Sequence, residues 1–238
     1  RLMEELNAKP NRKQNRLKET HQVQTEFSNA PDTDTALANN RDWVRQVVAN
    51  AAALQDKLPS HEKLVAKAKQ ERYEIEQMVA KAKTASVAWA KNPAERQEIL
   101  LRVGQELASS RSELLSVMLA EAGKTIAEAD SELSEAIDFA NFYARQIDEL
   151  QEIQRIDGVV FQAHQVVVVT PPWNFPVAIA AGGVLAALAA GAAVIIKPPP
   201  QVVNCALAMV EIFWRAGVPK RLLQVALIPD NELGLALV

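Results

Sequence analysis

Cysteine is nearly absent: Cys205 is the only one in 238 residues. That excludes a disulfide framework and fits a reducing compartment. Histidine is almost as scarce. His21, His61 and His164 lie far apart without ligand-like spacing, so no metal site is expected. There is no excess of positive charge either. A net charge of −3, with no basic cluster interleaved with aromatics, argues against a nucleic-acid surface. The first residues, RLMEELNAKPNRKQNRLKE, are charged and carry no apolar h-region. No signal peptide is therefore expected, and a cytoplasmic location is.

Long hydrophobic runs are also missing, with one exception. Val177 to Ile196 is twenty residues without a charge, long enough to span a bilayer. Alanine and glycine dominate it, prolines bracket it, and its end turns β-branched after Gly191. The reading is a core helix followed by a strand, with no transmembrane segment. What remains, 49% hydrophobic and 23% charged, is ordinary for a soluble globular chain of one large domain or two.

The chain is organised around Gln165 to Pro200, QVVVVTPPWNFPVAIAAGGVLAALAAGAAVIIKPPP. Val166 to Val169 is too short for a helix and too apolar for a half-exposed edge, so it reads as a strand buried on both faces. Thr170-Pro171-Pro172 ends it, because two prolines remove two backbone donors. Pro176 suits the first position of a helix rich in Ala, Gly and Leu, and Ala193 to Ile196 reads as the next strand. Strand, turn, buried helix, strand is a βαβ unit of an open parallel sheet.

Ligands of such sheets bind outside the carboxyl ends of the strands, where Asn174 and Lys197 both stand. A carboxamide and a lysine inside an apolar stretch need partners, and a ligand is one candidate. Capping of the following helix by Asn174 is the other.

TPPWNFP, with Lys197-Pro198 following twenty-one residues after Pro176, resembles the aldehyde dehydrogenase superfamily. The resemblance implies that the Asn174 amide donates to the oxyanion formed when a cysteine thiolate attacks an aldehyde. It also implies that Lys197 reaches the adenosine ribose of NAD(P), while Thr170, Pro171, Pro172 and Trp173 line the cofactor channel. Glu121 to Thr125 (EAGKT) and the EAIDF run from Glu135 resemble the helical part of the same family. Phe27 to Trp43, FSNAPDTDTALANNRDW, resembles the lead-in to the aldehyde dehydrogenase module of bifunctional proline-utilisation flavoenzymes, which usually show Glu where Ala30 stands. Arg1 to Glu5 resembles the end of a proline dehydrogenase barrel, with Arg1 as the second member of a substrate-binding arginine pair. A charged helix remnant is the alternative for that pentapeptide.

Residues 1 to 35, punctuated by Pro10 and Pro31, read as a linker or extended surface segment. Asn40 is expected to cap a short helix carrying Val44, Val47, Val48, Ala51 and Leu54. Ser60 opens a longer helix running to about Ala90. Asn92-Pro93-Ala94-Glu95 and Thr125 with Glu128 read as capping boxes, and Gly123 as a helix stop. After Lys197 come a helix from about Val202 to Ala216 and a strand near Gln224 to Ile228.

The expected architecture is α/β: N-terminal helices, then βαβαβ, the first half of a Rossmann-like parallel sheet of aldehyde dehydrogenase type. The divisions are 1–59 (lead-in, with the tail of a proline dehydrogenase barrel as a candidate), 60–164 (helical part) and 165–238 (partial NAD(P)-binding sheet). Half a sheet is expected to leave a strand edge and one helical layer uncovered, so the chain alone should be inactive and poorly soluble.

Cys205 lies among Ala206, Leu207, Ala208 and Val210 with no basic neighbour in sequence, which marks an inert structural thiol. By the resemblance, the nucleophilic cysteine and the base come from segments beyond Val238. Pro200 stands where the family's ribose clamp has a glutamate, so NAD versus NADP stays open; Pro229 to Gly234 has fewer glycines than the family's loop, which leaves close backbone approach to the cofactor open. The leading expectation is oxidation of L-glutamate γ-semialdehyde to L-glutamate in proline catabolism. The expected partners are NAD, the aldehyde, the remainder of the polypeptide and further copies of the chain, with FAD if a proline dehydrogenase domain precedes Arg1. Another aldehyde dehydrogenase, or a non-catalytic NAD-binding or assembly module, are the alternatives.

Overall fold

The computed structural model describes residues 13–21, 26–156, 158–229 and 232–237. The Arg1–Glu5 pentapeptide and part of the Pro229–Gly234 turn lie outside the described residues. Among these residues six helices precede the first strand: α1 (Ala38–Leu54), α2 (His61–Ala68), α3 (Arg72–Lys91), α4 (Pro93–Ser109), α5 (Arg111–Ala122) and α6 (Ile126–Gln154). Then come β1 (Val166–Val169), α7 (Ala178–Ala189), β2 (Ala193–Ile196), a 3₁₀ turn (Pro200–Val202), α8 (Val203–Arg215), β3 (Leu223–Val225) and α9 (Glu232–Ala236).

Local chemistry sets most of these boundaries. Ser60 accepts from Lys63 N–H at the start of α2, and Asn92 accepts from Glu95 N–H at the start of α4, where Pro93 takes the first turn. Thr125 and Glu128 exchange bonds as a capping box at α6. Gly123 ends α5 at φ +65, a left-handed conformation that costs glycine little.

Two helical expectations need correction. Asn40 does not cap α1: it lies inside the helix, fully buried, where its Nδ2 donates to Gln14 Oε1 and Asp34 O and its Oδ1 accepts from Arg16 N–H. The helix predicted from Ser60 to Ala90 is two helices, broken at Lys69 (φ +50). The break frees Gln70, whose Nε2 donates to Val225 O and whose Oε1 accepts from Leu227 N–H, so its carboxamide pairs with the chain along β3.

The sheet is parallel, in the order β1-β2-β3, with Val166 opposite Ala193 and Val194 opposite Leu223. The right-handed rule for such crossovers sets α7 and α8 on one face. Helix α3, which touches all three strands, lies on the other. Both faces are thus covered among the described residues, in place of the bare layer expected. The β1 edge has no strand beside it among them, and its valines are half-buried where full burial was expected; those of β2 are fully buried.

Helix α7 packs closely because its small residues permit it. A Cβ on Gly183 would meet Val169 Cγ1 at 3.2 Å, and one on Gly182 would meet the Phe139 ring at 3.1 Å. Trp89 Nε1 donates to Leu188 O, tying α3 to the far end of α7. The lead-in lies against α6. Asp138 accepts from Asn29 Nδ2 (2.7 Å) and Ala30 N–H (2.6 Å), Asp130 accepts from both Thr33 N–H and Oγ1–H, and Phe27 meets Phe142 edge-on.

Candidate functional site

The parallel register places Thr170 and Lys197 side by side. Val169 pairs with Ile196, Lys197 N–H donates to Val169 O (2.9 Å), and each chain then leaves the sheet at its carboxyl end. Lys197 is half-buried, and a Cβ built on Gly234 would lie 3.6 Å from its Cε, so its stem runs beside α9. From Thr170 the two prolines carry the chain outward to Trp173, Asn174 and Phe175. All three are exposed, whereas Pro176 and Val177 are buried.

Asn174 does not cap α7. That helix starts at Ala178 behind Val177, with no side-chain cap of its own. Its first amides are taken by a residue from another helix: Glu132 Oε1 accepts from Val177 N–H (2.7 Å) and Ala178 N–H (3.1 Å). No described residue hydrogen-bonds the Asn174 carboxamide, which stands at the surface three residues before Val177. An uncommitted amide donor at the carboxyl edge of a parallel sheet is a group that can serve a ligand or a developing negative charge.

Glu132 does not stand out in the sequence, and Lys124 beside it stands out only as part of the EAGKT run. The Glu132 side chain is 1% exposed, Lys124 Nζ lies 2.6 Å from Glu132 Oε2, and the same ammonium sits 4.6 Å from the centroid of the Phe175 ring. Glu121 does for α8 what Glu132 does for α7, accepting from Asn204 N–H (3.0 Å) and Cys205 N–H (2.7 Å). The signal in the sequence is a negative one: an apolar helix start such as Val177-Ala178 leaves amides that its own segment cannot satisfy.

Cys205 is fully buried on α8. Burial first, and the Glu121 charge second, push its thiol far above the usual range, so it stays neutral and unreactive. Iodoacetamide at mildly alkaline pH should therefore leave Cys205 unmodified in the folded protein and alkylate it after guanidinium denaturation. Mass spectrometry of the Cys205 peptide reads the difference; labelling of the native protein at the unfolded rate would contradict the burial argument. Among the described residues no His, Cys, Asp or Glu group could hold a metal ion, and no helix is long and apolar enough to cross a membrane. One cleft of about 500 Å³, lined among others by Ala80, Thr84, Trp89 and Leu222, contains neither Asn174 nor Lys197.

A nucleotide at the carboxyl edge would find Lys197 and Thr170 at adjacent strand ends and the exposed Trp173 beside them. Of the amides at the start of α7, Glu132 already takes those of Val177 and Ala178.

Parallel strands crossed by helices, with Thr170, Asn174 and Lys197 at their carboxyl ends, define the open α/β class, whose ligands bind at that edge. Residues 47–238 match the family described as "Aldehyde dehydrogenase family", and the chain belongs to it. It is 39% identical over 155 residues to the bifunctional protein PutA of Escherichia coli (strain K12), covering 64% of this chain and 11% of that protein. A Mycobacterium ulcerans (strain Agy99) protein named "Putative succinate-semialdehyde dehydrogenase", specified for NADP(+), is 33% identical over 174 residues, covering 69% of this chain and 34% of that one. Among solved structures, proline utilization A from Corynebacterium freiburgense superposes with a TM-score of 0.71 at 38% identity, covering 90% of this chain and 21% of that one. A mutant of Thermus thermophilus 1-pyrroline-5-carboxylate dehydrogenase shares the fold, with a TM-score of 0.74 at 22% identity, over 91% of this chain and 48% of that one. The chain thus spans about a third or less of the curated relatives it matches.

Proposed function

We propose that this chain is part of an NAD-dependent aldehyde dehydrogenase that oxidises L-glutamate γ-semialdehyde to L-glutamate in proline catabolism. The observation that carries the proposal is the exposed Asn174 carboxamide, bonded to no described residue, on the turn that follows β1 where Thr170 and Lys197 leave the sheet together. In this reading a cysteine thiolate adds to the aldehyde carbon, the carbonyl oxygen becomes an oxyanion, and the Asn174 N–H donates to it. The cofactor, when bound, supplies the acceptor for the hydride that leaves that carbon. Water, activated by a general base, then releases the acid and returns the thiol. Cys205 is too buried to be the nucleophile, so thiol and base come from residues other than those described.

Lys197 would hold the ribose, and Thr170, Pro171, Pro172 and Trp173 would line the channel. The likeness to PutA at 38% identity over nine-tenths of the chain supports the glutamate semialdehyde substrate, and so does the lead-in packed on α6. FAD belongs to this reading only where a proline dehydrogenase domain precedes Arg1; homo-oligomerisation is part of it as well. The mycobacterial relative favours a second reading, succinate semialdehyde with NADP.

Steady-state oxidation by the complete polypeptide separates them. Both aldehydes are assayed with both nucleotides, and kcat/KM should be highest for L-glutamate γ-semialdehyde with NAD. A higher value for succinate semialdehyde would sink the first reading, and no oxidation of either would favour a non-catalytic module.

A further inference from the structure

We propose that Glu132, together with Lys124, is a positioning residue that fixes the turn carrying Asn174, a role that rests on Asn174 acting as the oxyanion donor. A buried carboxylate is costly to keep and is retained only when its partners are good. Glu132 has two hydrogen bonds, from the Val177 and Ala178 amides to one oxygen, while the other oxygen has no hydrogen bond but pairs in charge with the Lys124 ammonium at 2.6 Å. These contacts fix every residue between Asn174 and the helix. Val177 and Ala178 are held by Glu132, Pro176 is buried with its φ set by its ring, and Phe175 lies under the Lys124 ammonium at 4.6 Å.

The far side of the device is equally rigid. Glu132 projects from α6, which begins in a capping box at Thr125 and packs closely on α7 where Gly182 meets Phe139. The aim of the Asn174 amide is therefore set by a carboxylate on another helix, 45 residues before the Val177 amide it holds, and one that need never touch substrate. Misplacement of a reacting group by about 1 Å can cost roughly 10²-fold in rate, which is the scale expected here.

The test is a double-mutant cycle on kcat in the complete polypeptide, with thermal unfolding of each variant measured alongside. Glu132→Ala should lower kcat about 10²-fold. Glu132→Gln, whose amide oxygen can still accept from the α7 amides, should recover much of that loss. In an Asn174→Ala background, Glu132→Ala should cost no more than about another 3-fold, because the group it positions is already gone.

A merely structural role would instead lower the unfolding temperature and leave kcat alone, or multiply with Asn174→Ala; either result overturns the proposal. If Asn174→Ala leaves kcat unchanged, the oxyanion reading itself falls and takes this one with it. If Asn174→Ala is slow and Glu132→Ala is not, only the positioning role fails. Should Glu132→Ala yield no folded protein, Lys124→Met, at a less buried position, carries the same cycle with the same outcomes.

Discussion

Asn174→Ala in the complete polypeptide is expected to lower kcat for aldehyde oxidation by about 10²- to 10³-fold, the loss typical when one oxyanion donor is removed. The loss should fall on kcat more than on KM, because the amide meets full negative charge only after the thiolate has added to the carbonyl. Stability should barely change. Asn174 is exposed and bonded to no described residue, and surface substitutions of that kind lie within about 0.5 kcal/mol. That combination is diagnostic, since a cap or a core polar group would show the reverse pattern. Asn174→Asp should be at least as slow as the alanine variant, because a carboxylate beside a forming alkoxide repels it and offers no N–H. An alanine variant within about threefold of wild-type kcat would remove Asn174 from the mechanism.

How much of this site the sequence discloses depends on how far apart the interacting residues lie. Val166–Val169 and Ala193–Ile196 are strands with the predicted boundaries, because a β-branched run bounded by prolines or a glycine leaves no other element of that length. The caps at Asn92 and Thr125 are equally legible, each being a bond across three residues. Gln70 is not: its carboxamide bonds chain 155 and 157 residues away, and nothing nearby marks it as a helix breaker. Asn40 misleads for the same reason, since an asparagine near a helix start looks like a cap until its partners Gln14 and Arg16 are seen. Glu132 sits on a helix bearing many carboxylates, and only the folded chain distinguishes the one aimed at α7. The same limit explains the expected bare face of the sheet. Periodicity identifies α3 as amphipathic but cannot say that its apolar side lies on β1, β2 and β3.

Asp130→Ala is expected to be the most destabilising single substitution considered, at about 3–5 kcal/mol, the range for removing one partner of a buried ion pair. Arg111 Nη1 lies 2.7 Å from Asp130 Oδ1, and both side chains are about 4% exposed. Burial is the main influence lowering the Arg111 pKa, and the Asp130 charge opposes it. A guanidinium cannot escape that penalty by losing its proton, as a lysine could, so the substitution would strand a full charge inside the protein. Ser134 Oγ is a poor substitute for a carboxylate, and Arg111 Nε already has no partner. The same substitution removes both bonds to Thr33, loosening the lead-in from α6 while Asp138 still holds Asn29 and Ala30. Adding Arg111→Met to Asp130→Leu should therefore restore part of the urea midpoint lost in Asp130→Ala, because the stranded charge, not the missing attraction, is the larger cost. If the double variant is as unstable as the two single losses added together, the two side chains are not coupled and a stranded Arg111 charge is not the source of the loss.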